Sequence, residues 1–382
     1  MVSMGGATRF IFNHFLKRNS DQYAIDKKFV WYYEMAKELT ILKHQLGYKW
    51  LYETPNQCLQ QSLRDLNAAL KNLKHGASFP RFKSKYLTPI SFRFQQYVEL
   101  DPSKKKVNLP MLGDVKIVMD RALPSRFTGV TVYRNNIGHW YVSFVVERQE
   151  LLLVDEISSS TGVDVNSEFT ALSNGDLRPN IRPYKKYQKK IKQLQRELSR
   201  KQKGSNNRKK AKQRLARASM HLANQRKDQI HKNSNRIAKD YDLVSVETLK
   251  IDAMKRKSKG AAKAIQDTAW ATFLLALEYK CRLYGHHFQK INQWLASSKT
   301  CSACGTKQSI PLDIRQYTCP CGLDIHRDTN AAINIDNWGR QQWSLNTKTG
   351  QYLPSVPVDS LVEILSSDGT SATEMKQEST AL

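Results

Sequence analysis

The stretch TGVDVNSEFTALSNGD, residues 161–176, decides the fold. Thr161 to Val165 reads as a short apolar strand carrying one acid, FTAL as a second strand, and Ser173-Asn174-Gly175-Asp176 as the turn beyond it. Residues 150–160 before it look like a linker, so a domain starts here. Working towards the C-terminus, residues 182–232 carry 19 Lys or Arg against two acids. Tyr187, Ile191, Leu194 and Leu198 recur at four and three residues, which predicts a two-helix antiparallel hairpin broken at Gly204-Ser205-Asn206-Asn207. An ordinary soluble helix pair mixes charge signs. This one does not, so its solvated faces are expected to meet phosphate, with Lys185, Lys186, Lys189 and Lys190 as candidates. Next come a strand at DLVSVE (242–247), a long helix over 261–283, a strand near HHFQKIN, a window of cysteines, and a helix after Asp328. Residues 358–382, rich in Ser, Thr and Glu, read as a disordered tail.

Towards the N-terminus, apolar spacing is helical from Arg9 to about Leu73, with Thr54-Pro55-Asn56 as a start signal before CLQQSLRDLNAALKNL. A basic, aromatic stretch, FPRFKSKY (79–86), then gives way to short alternating runs: SFRF, KKVNLP, VKIVMD, TGVTVYRN and HWYVSFVVE. The last two flank Asn135, Asn136 and Gly138 as a hairpin, and the group predicts a small antiparallel barrel or sheet. The fold class is α/β plus α+β.

With 382 residues, 40% hydrophobic and 9% aromatic, the chain has apolar material for two or three packed units. Lys and Arg number 61 and Asp and Glu 34, so the net charge is 61 − 34 = +27. A polyanionic partner relieves the self-repulsion of such a chain, and nucleic acid is the expected one. Anionic membrane is the rival, but the longest apolar stretch, ATFLLA at 271–276, is far short of the ~20 residues a spanning helix needs. No basic segment followed by an apolar run opens the chain, and the expectation is a cytoplasmic protein.

Six cysteines are too few for a disulfide scaffold, and four fall in one window: Cys301-Ser-Ala-Cys304-Gly and Cys319-Pro-Cys321-Gly. Two close thiolate pairs, each followed by glycine, suit tetrahedral structural zinc in a ribbon. The second pair is one residue short of standard spacing, which leaves His326 as a substitute fourth ligand. Cys58 and Cys281 sit in helical patterns as buried, inert thiols. A protein that cuts a phosphodiester needs hard cations and therefore oxygen ligands. Asp164 lies in an apolar strand, Glu247 ends the run LVSV, and Asp328 opens a helix. Alone, Asp328 could be a helix cap and Asp164 a turn residue. Together they make a two-metal site bridging ions about 4 Å apart.

GVDVNSEFTALSNGD, RKDQIHKNSNRIAKDYDLVSVETLKIDAMK, DTAWATFLLALEYKCRLYG, SSKTCSACG and HRDTNAAINI, in that order, resemble TnpB, the OrfB-type transposon-encoded nuclease related to the type V CRISPR effectors. LQQSLRDL, FPRFK, NLPMLGDVKI and WYVSFVVE are similar to that family's recognition region, so the resemblance covers nearly the whole chain.

The resemblance implies an RNase H-like, RuvC-type nuclease domain with Asp164, Glu247 and Asp328 as catalytic acids holding magnesium. It implies a recognition region over 1–150, the nuclease domain over 160–296 with the basic hairpin at 182–235, a zinc ribbon over 297–326 held by Cys301, Cys304, Cys319 and Cys321, and a last nuclease segment over 327–345. It further implies RNA-guided DNA cleavage, with a guide RNA from the transposon end pairing with target DNA beside a short adjacent motif. Gln60 matches a helix that approaches that motif, and Arg81, Lys83 and Lys85 are candidate phosphate contacts. Arg327 and Asn330 flank the last acid and are expected to steady a phosphate or a metal water. Family members carry an extra strand and half a helix before the segment matching TRFIFNHFL, so an N-terminal truncation is expected, leaving strand-edge hydrogen bonds unmet. Two other functions share these motifs: a guided DNA-binding repressor that does not cut, and a transposase or accessory protein acting in DNA recombination. Three intact acids favour cutting over the first.

Overall fold

The structure, a computed structural model, describes residues 1–349 except 86–88, 121, 123–125, 148–150, 250, 258 and 312–313. The tail expected over 358–382 lies outside the described residues. The described residues divide into two units, 1–147 and 151–349.

The first unit starts with α1 (Val2–Asp26), α2 (Tyr32–His44), a 3-10 segment (Leu46–Glu53) and α3 (Asn56–Lys71). Leu59, Leu63, Leu66 and Leu70, at four- and three-residue steps on α3, face Ile11, Phe15 and Leu16 of α1 in one buried core. Six strands follow: β1 (Ile90–Phe94), β2 (Glu99–Asp101), β3 (Lys106–Leu109), β4 (Gly113–Lys116), β5 (Gly129–Arg134) and β6 (Trp140–Val145). They form two three-stranded antiparallel sheets, β1-β5-β6 and β2-β3-β4, whose inward side chains Phe92, Phe94, Val107, Leu109, Val130 and Val132 share a core. This corrects the expectation of a small barrel, since no closed barrel exists among the described residues. Closure needs a tilted, staggered ladder all the way round. Here β2, β3 and β4 are only three or four residues long and exhaust their register on one another.

The second unit is built on a mixed sheet in the order β11-β10-β7-β8-β9. Its first three strands, β7 (Ser160–Val165), β8 (Phe169–Leu172) and β9 (Leu177–Pro179), form an antiparallel meander. After the hairpin α4 (Pro183–Ser199) and α5 (Asn206–Asp240), strand β10 (Leu243–Glu247) returns parallel to β7. Helices α6 (Ile251–Lys257), α7 (Lys259–Thr268) and α8 (Trp270–Leu283) lead to β11 (His287–Ile291), parallel to β10. The chain ends with β12 (Gln316–Thr318), β13 (Asp324–His326) and α9 (Arg327–Thr349). A three-strand meander is thus extended by two parallel strands beside its first strand.

Val163, Val244 and Val246 meet Ile230, Ile237, Phe273 and Leu277 on one face of the sheet, where each buried aliphatic side chain is worth ~1.5–3 kcal/mol. On the other face lies α9, and glycine sets its distance. A Cβ at Gly162 of β7 would overlap α9 backbone at Ala332 and Asp336, and one at Gly339 of α9 would overlap Ser245 of β10. Hydrogen atoms alone fit at both points of contact.

The single helix expected over 261–283 is broken. Ala269 takes a left-handed conformation (φ 50°), which ends α7 and re-aims α8 so that Trp270 Nε1 donates to the Asn166 carbonyl at 3.2 Å. The hairpin is fastened at both ends. At its base, Tyr184 N and Lys185 N in the first turn of α4 donate to buried Asp267 at 2.8 and 3.0 Å, and Arg226 of α5 reaches the same carboxylate at 3.4 Å. At its tip, Ser205 Oγ caps α5 by accepting from Arg208 N, while the Arg208 guanidinium donates to the Leu198 and Lys201 carbonyls at 2.8 and 2.9 Å.

Candidate active site

Asp164 and Glu247 meet because their strands are neighbours. β7 and β10 pair in parallel from Leu243 with Ser160 to Val246 with Val163, and the next step of that register sets Glu247 beside Asp164. Side chains alternate along a strand, so Ser160, Gly162, Asp164 and Asn166 share the face that α9 covers. Ser160 Oγ donates to Asp336 of α9 at 2.5 Å, and Asn166 Nδ2 donates to Asp328 Oδ2 at 2.7 Å. Helix α9 therefore runs antiparallel to β7, and its first turn delivers Asp328, 7% exposed, to the strand end where Asp164 lies.

The three acids feel one another. Part of Asp164 remains accessible, yet the protein packed about its carboxyl makes desolvation the main cause of a pKa raised to about 8. The charges of Glu247 and Asp328 push the same way, and Arg327 and Arg315 push back. Burial raises Glu247 as well, opposed by the Ser297 hydroxyl, which donates to its carboxylate. Like charges held together at a strand end mark a place that favours a cation. Among the described residues only four thiols gather every ligand atom within 4.8 Å, so the acids are spread more widely than around a single point. Hard oxygen donors fit a Mg-class cation.

Three partners escaped the sequence reading. Asn166 follows Asp164 by two and so shares its face, a spacing that the strand period could have exposed. Ser297 comes from the irregular segment after β11, and Arg315 lies 3.8 Å from Asp328 and 3.6 Å from Glu168. Loop residues such as these carry no periodic signal.

The expected nucleic-acid contacts scatter. Arg327 is 7% exposed and its Nη1 donates to the Pro311 carbonyl at 2.7 Å. Asn330 is fully buried, accepting from Ser302 N at 2.9 Å and donating to the Thr300 carbonyl at 2.8 Å. Both side chains hold the cysteine-bearing segment onto α9. Lys83 clasps Asn13 through its backbone N–H and carbonyl and lays Nζ 3.8 Å from the centre of the Phe12 ring, where burial lowers its pKa. Gln60 is half-buried on α3, and Arg81 and Lys85 are exposed. Lys185, Lys186, Lys189 and Lys190 are all exposed on α4.

The four cysteines converge. Cys301 and Cys321 Sγ are 3.7 Å apart, Cys304 and Cys319 Sγ 3.6 Å apart, and all four lie within 4.8 Å of one another. Positive φ at Gly305 (77°) and Gly322 (95°) lets their N–H groups turn back to the Cys301 and Cys319 carbonyls, each at 2.9 Å. Hydrogen bonding with Thr306 holds the Cys304 thiol down to about 6, as suits a metal ligand. His326 is not in this group; its Nδ1 accepts from Asp328 N at 3.3 Å and its ring faces Phe169. Four soft thiolates in a closed set suit a structural metal.

Residues 143–258 match the family model OrfB_IS605, described as "Probable transposase", and residues 270–335 match that of the "Cas12f1-like, TNB domain". "Putative RNA-guided DNA endonuclease InsQ" of Escherichia coli (strain K12) is 32% identical over 353 residues, covering 88% of this chain and 87% of that protein. A "Putative RNA-guided DNA endonuclease" of Streptomyces pristinaespiralis is 31% identical over 335 residues, covering 86% and 83%. The Cas12f1 chain of a Cas12f1-sgRNA-target DNA complex shares the fold, with TM-score 0.54, 18% identity, and coverage of 87% of this chain and 81% of that one.

Proposed function

The chain belongs to the TnpB family, and from that premise we propose that it is a transposon-associated, RNA-guided DNA endonuclease that hydrolyses phosphodiester bonds at Asp164, Glu247 and Asp328. The observation that carries the proposal is the joining of two neighbouring parallel strand ends and the first turn of α9 around one cluster of mutually repelling carboxylates.

Divalent cations bound there, magnesium by the hardness of the donors, supply an activated water and neutralise charge on the leaving oxygen. The chain's own residues prepare that chemistry. Burial and the charges of Glu247 and Asp328 raise the Asp164 carboxyl, and divalent cations held by the three acids would offset those charges and favour its ionised, ligating form. Asn166 fixes one oxygen of Asp328 and leaves the other free to ligate. Ser297 orients Glu247 in the same manner. Cys301, Cys304, Cys319 and Cys321 would hold a structural zinc that closes the ribbon, and Arg327 and Asn330 join that ribbon to the helix carrying Asp328. The partners are a guide RNA made from the transposon end and a matched target DNA, which accounts for a charge of +27 without a dedicated base-reading helix. No helix among the described residues is long and apolar enough to cross a membrane.

Purified protein loaded with its guide is tested on matched DNA with magnesium. Cleavage that stops in Asp164→Ala while guided DNA binding persists supports the proposal. Cutting that survives this substitution defeats it.

A further inference from the structure

We infer that the cleft between α4 and α5 is a receptor for one unstacked base of a single-stranded nucleic acid, with the flanking phosphates held on its rim. The cleft has a volume of about 370 Å³, at the small end of the range for ligand sites and suited to one nucleotide rather than a duplex. Its apolar lining is made by Ile191 and Leu194 of α4 and the short side chain of Ala218 of α5. One wall is aromatic: the Tyr187 and His221 rings stand edge to face, with centroids 5.7 Å apart. The rim carries Lys190, Arg214 and Arg217, all exposed, and no acid lines the cleft.

Charge decides the occupant. A second copy of the chain would bring cations against cations, and an acidic peptide would leave the apolar lining and the aromatic wall unused. A nucleotide matches both parts at once, because its base has a flat π-face and its phosphates are anionic. The inference rests on the nucleic-acid reading above but not on the cutting chemistry. It assigns the basic hairpin a role in gripping a base as well as in neutralising phosphate.

The test uses the full chain in magnesium-free buffer and an eight-nucleotide single-stranded RNA bearing one 4-thiouridine. Irradiation should crosslink the probe to peptides carrying Tyr187 or His221. Ala218→Leu, which fills the cleft without changing charge, should remove that crosslink and weaken binding about 5- to 100-fold, the loss of one stacked base. The same variant should bind an abasic strand of equal length as the wild type does. Tyr187→Phe, which keeps the ring, should retain crosslinking at His221 and near-normal affinity. The inference is overturned if crosslinks map outside α4 and α5, if Ala218→Leu affects base-bearing and abasic strands equally, or if polyglutamate displaces the probe from the cleft as well as RNA does. A chain that crosslinks here but never cuts matched DNA would defeat only the nuclease proposal. One that cuts but shows no crosslink in the cleft would defeat only this inference.

Discussion

Replacing Asp164 by Asn should make the protein more stable while removing its cleavage activity. The ordinary carboxyl pKa is 3.8 and the folded one about 8, so the folded state binds the proton more tightly by about four pH units. At about 1.36 kcal/mol per unit the ceiling is between 5 and 6 kcal/mol, and partial access to water reduces it to about 2–3 kcal/mol. The sign follows from proton linkage. An acid whose pKa rises on folding imposes no penalty below the unfolded value; its penalty grows from about pH 4 to about pH 8 and is constant above. Asn is nearly isosteric and never ionises, so Asp164→Asn should raise the melting temperature by about 5–10 °C at pH 8 and by much less at pH 5. Differential scanning calorimetry in magnesium-free buffer, with zinc retained in the ribbon, measures this directly. Added magnesium should stabilise the wild type selectively and narrow the gap. Equal melting temperatures at pH 8, or a difference that does not change between pH 5 and 8, would refute the electrostatic account of the site.

Gly162→Ala should destabilise the second unit by about 3 kcal/mol or more and abolish cleavage, because the new methyl drives α9 off β7; thermal unfolding checks it, and a neutral effect would show that the helix is not seated there. Asn166→Ala, which also removes the Oδ1 acceptor of the Glu168 and Phe169 N–H groups, should slow cleavage about 10- to 100-fold and raise the magnesium concentration needed for half-maximal rate, read from a metal titration of initial rates. Cys304→Ser should lower bound zinc well below one per chain by elemental analysis and loosen the ribbon in limited proteolysis.

Much of the fold could be read because its signals are local. β7 and β10 are buried on both faces, so TGVDV and LVSVE stand out as apolar runs, and the acid at the end of each is conspicuous for that reason. The leucines of α3 announce themselves by spacing alone. What escaped depends on distant partners. Ala269 sits in a helix-compatible sequence, and its left-handed turn accompanies a distant contact, Trp270 with the Asn166 carbonyl. Barrel closure is a property of strand edges far apart in sequence, which no local alternation encodes. Arg327 and Asn330 flank Asp328 in sequence, yet one step and two steps along a helix rotate a side chain by about 100° and 200°, onto the ribbon. Ser297 is a lone hydroxyl in an irregular segment and had no signal at all.

The two fastenings of the α4–α5 hairpin have a thermodynamic consequence. With Asp267 clamping its root and Arg208 sealing its tip, the 35-residue α5, about 50 Å long, is already a stiff rod before any partner arrives. Its lysines and arginines sit at set intervals, like teeth on a comb, and the backbone order that a floppy basic arm must acquire on docking was acquired when the chain folded. Whichever polyanion it engages, the main-chain entropic loss falls on that partner alone.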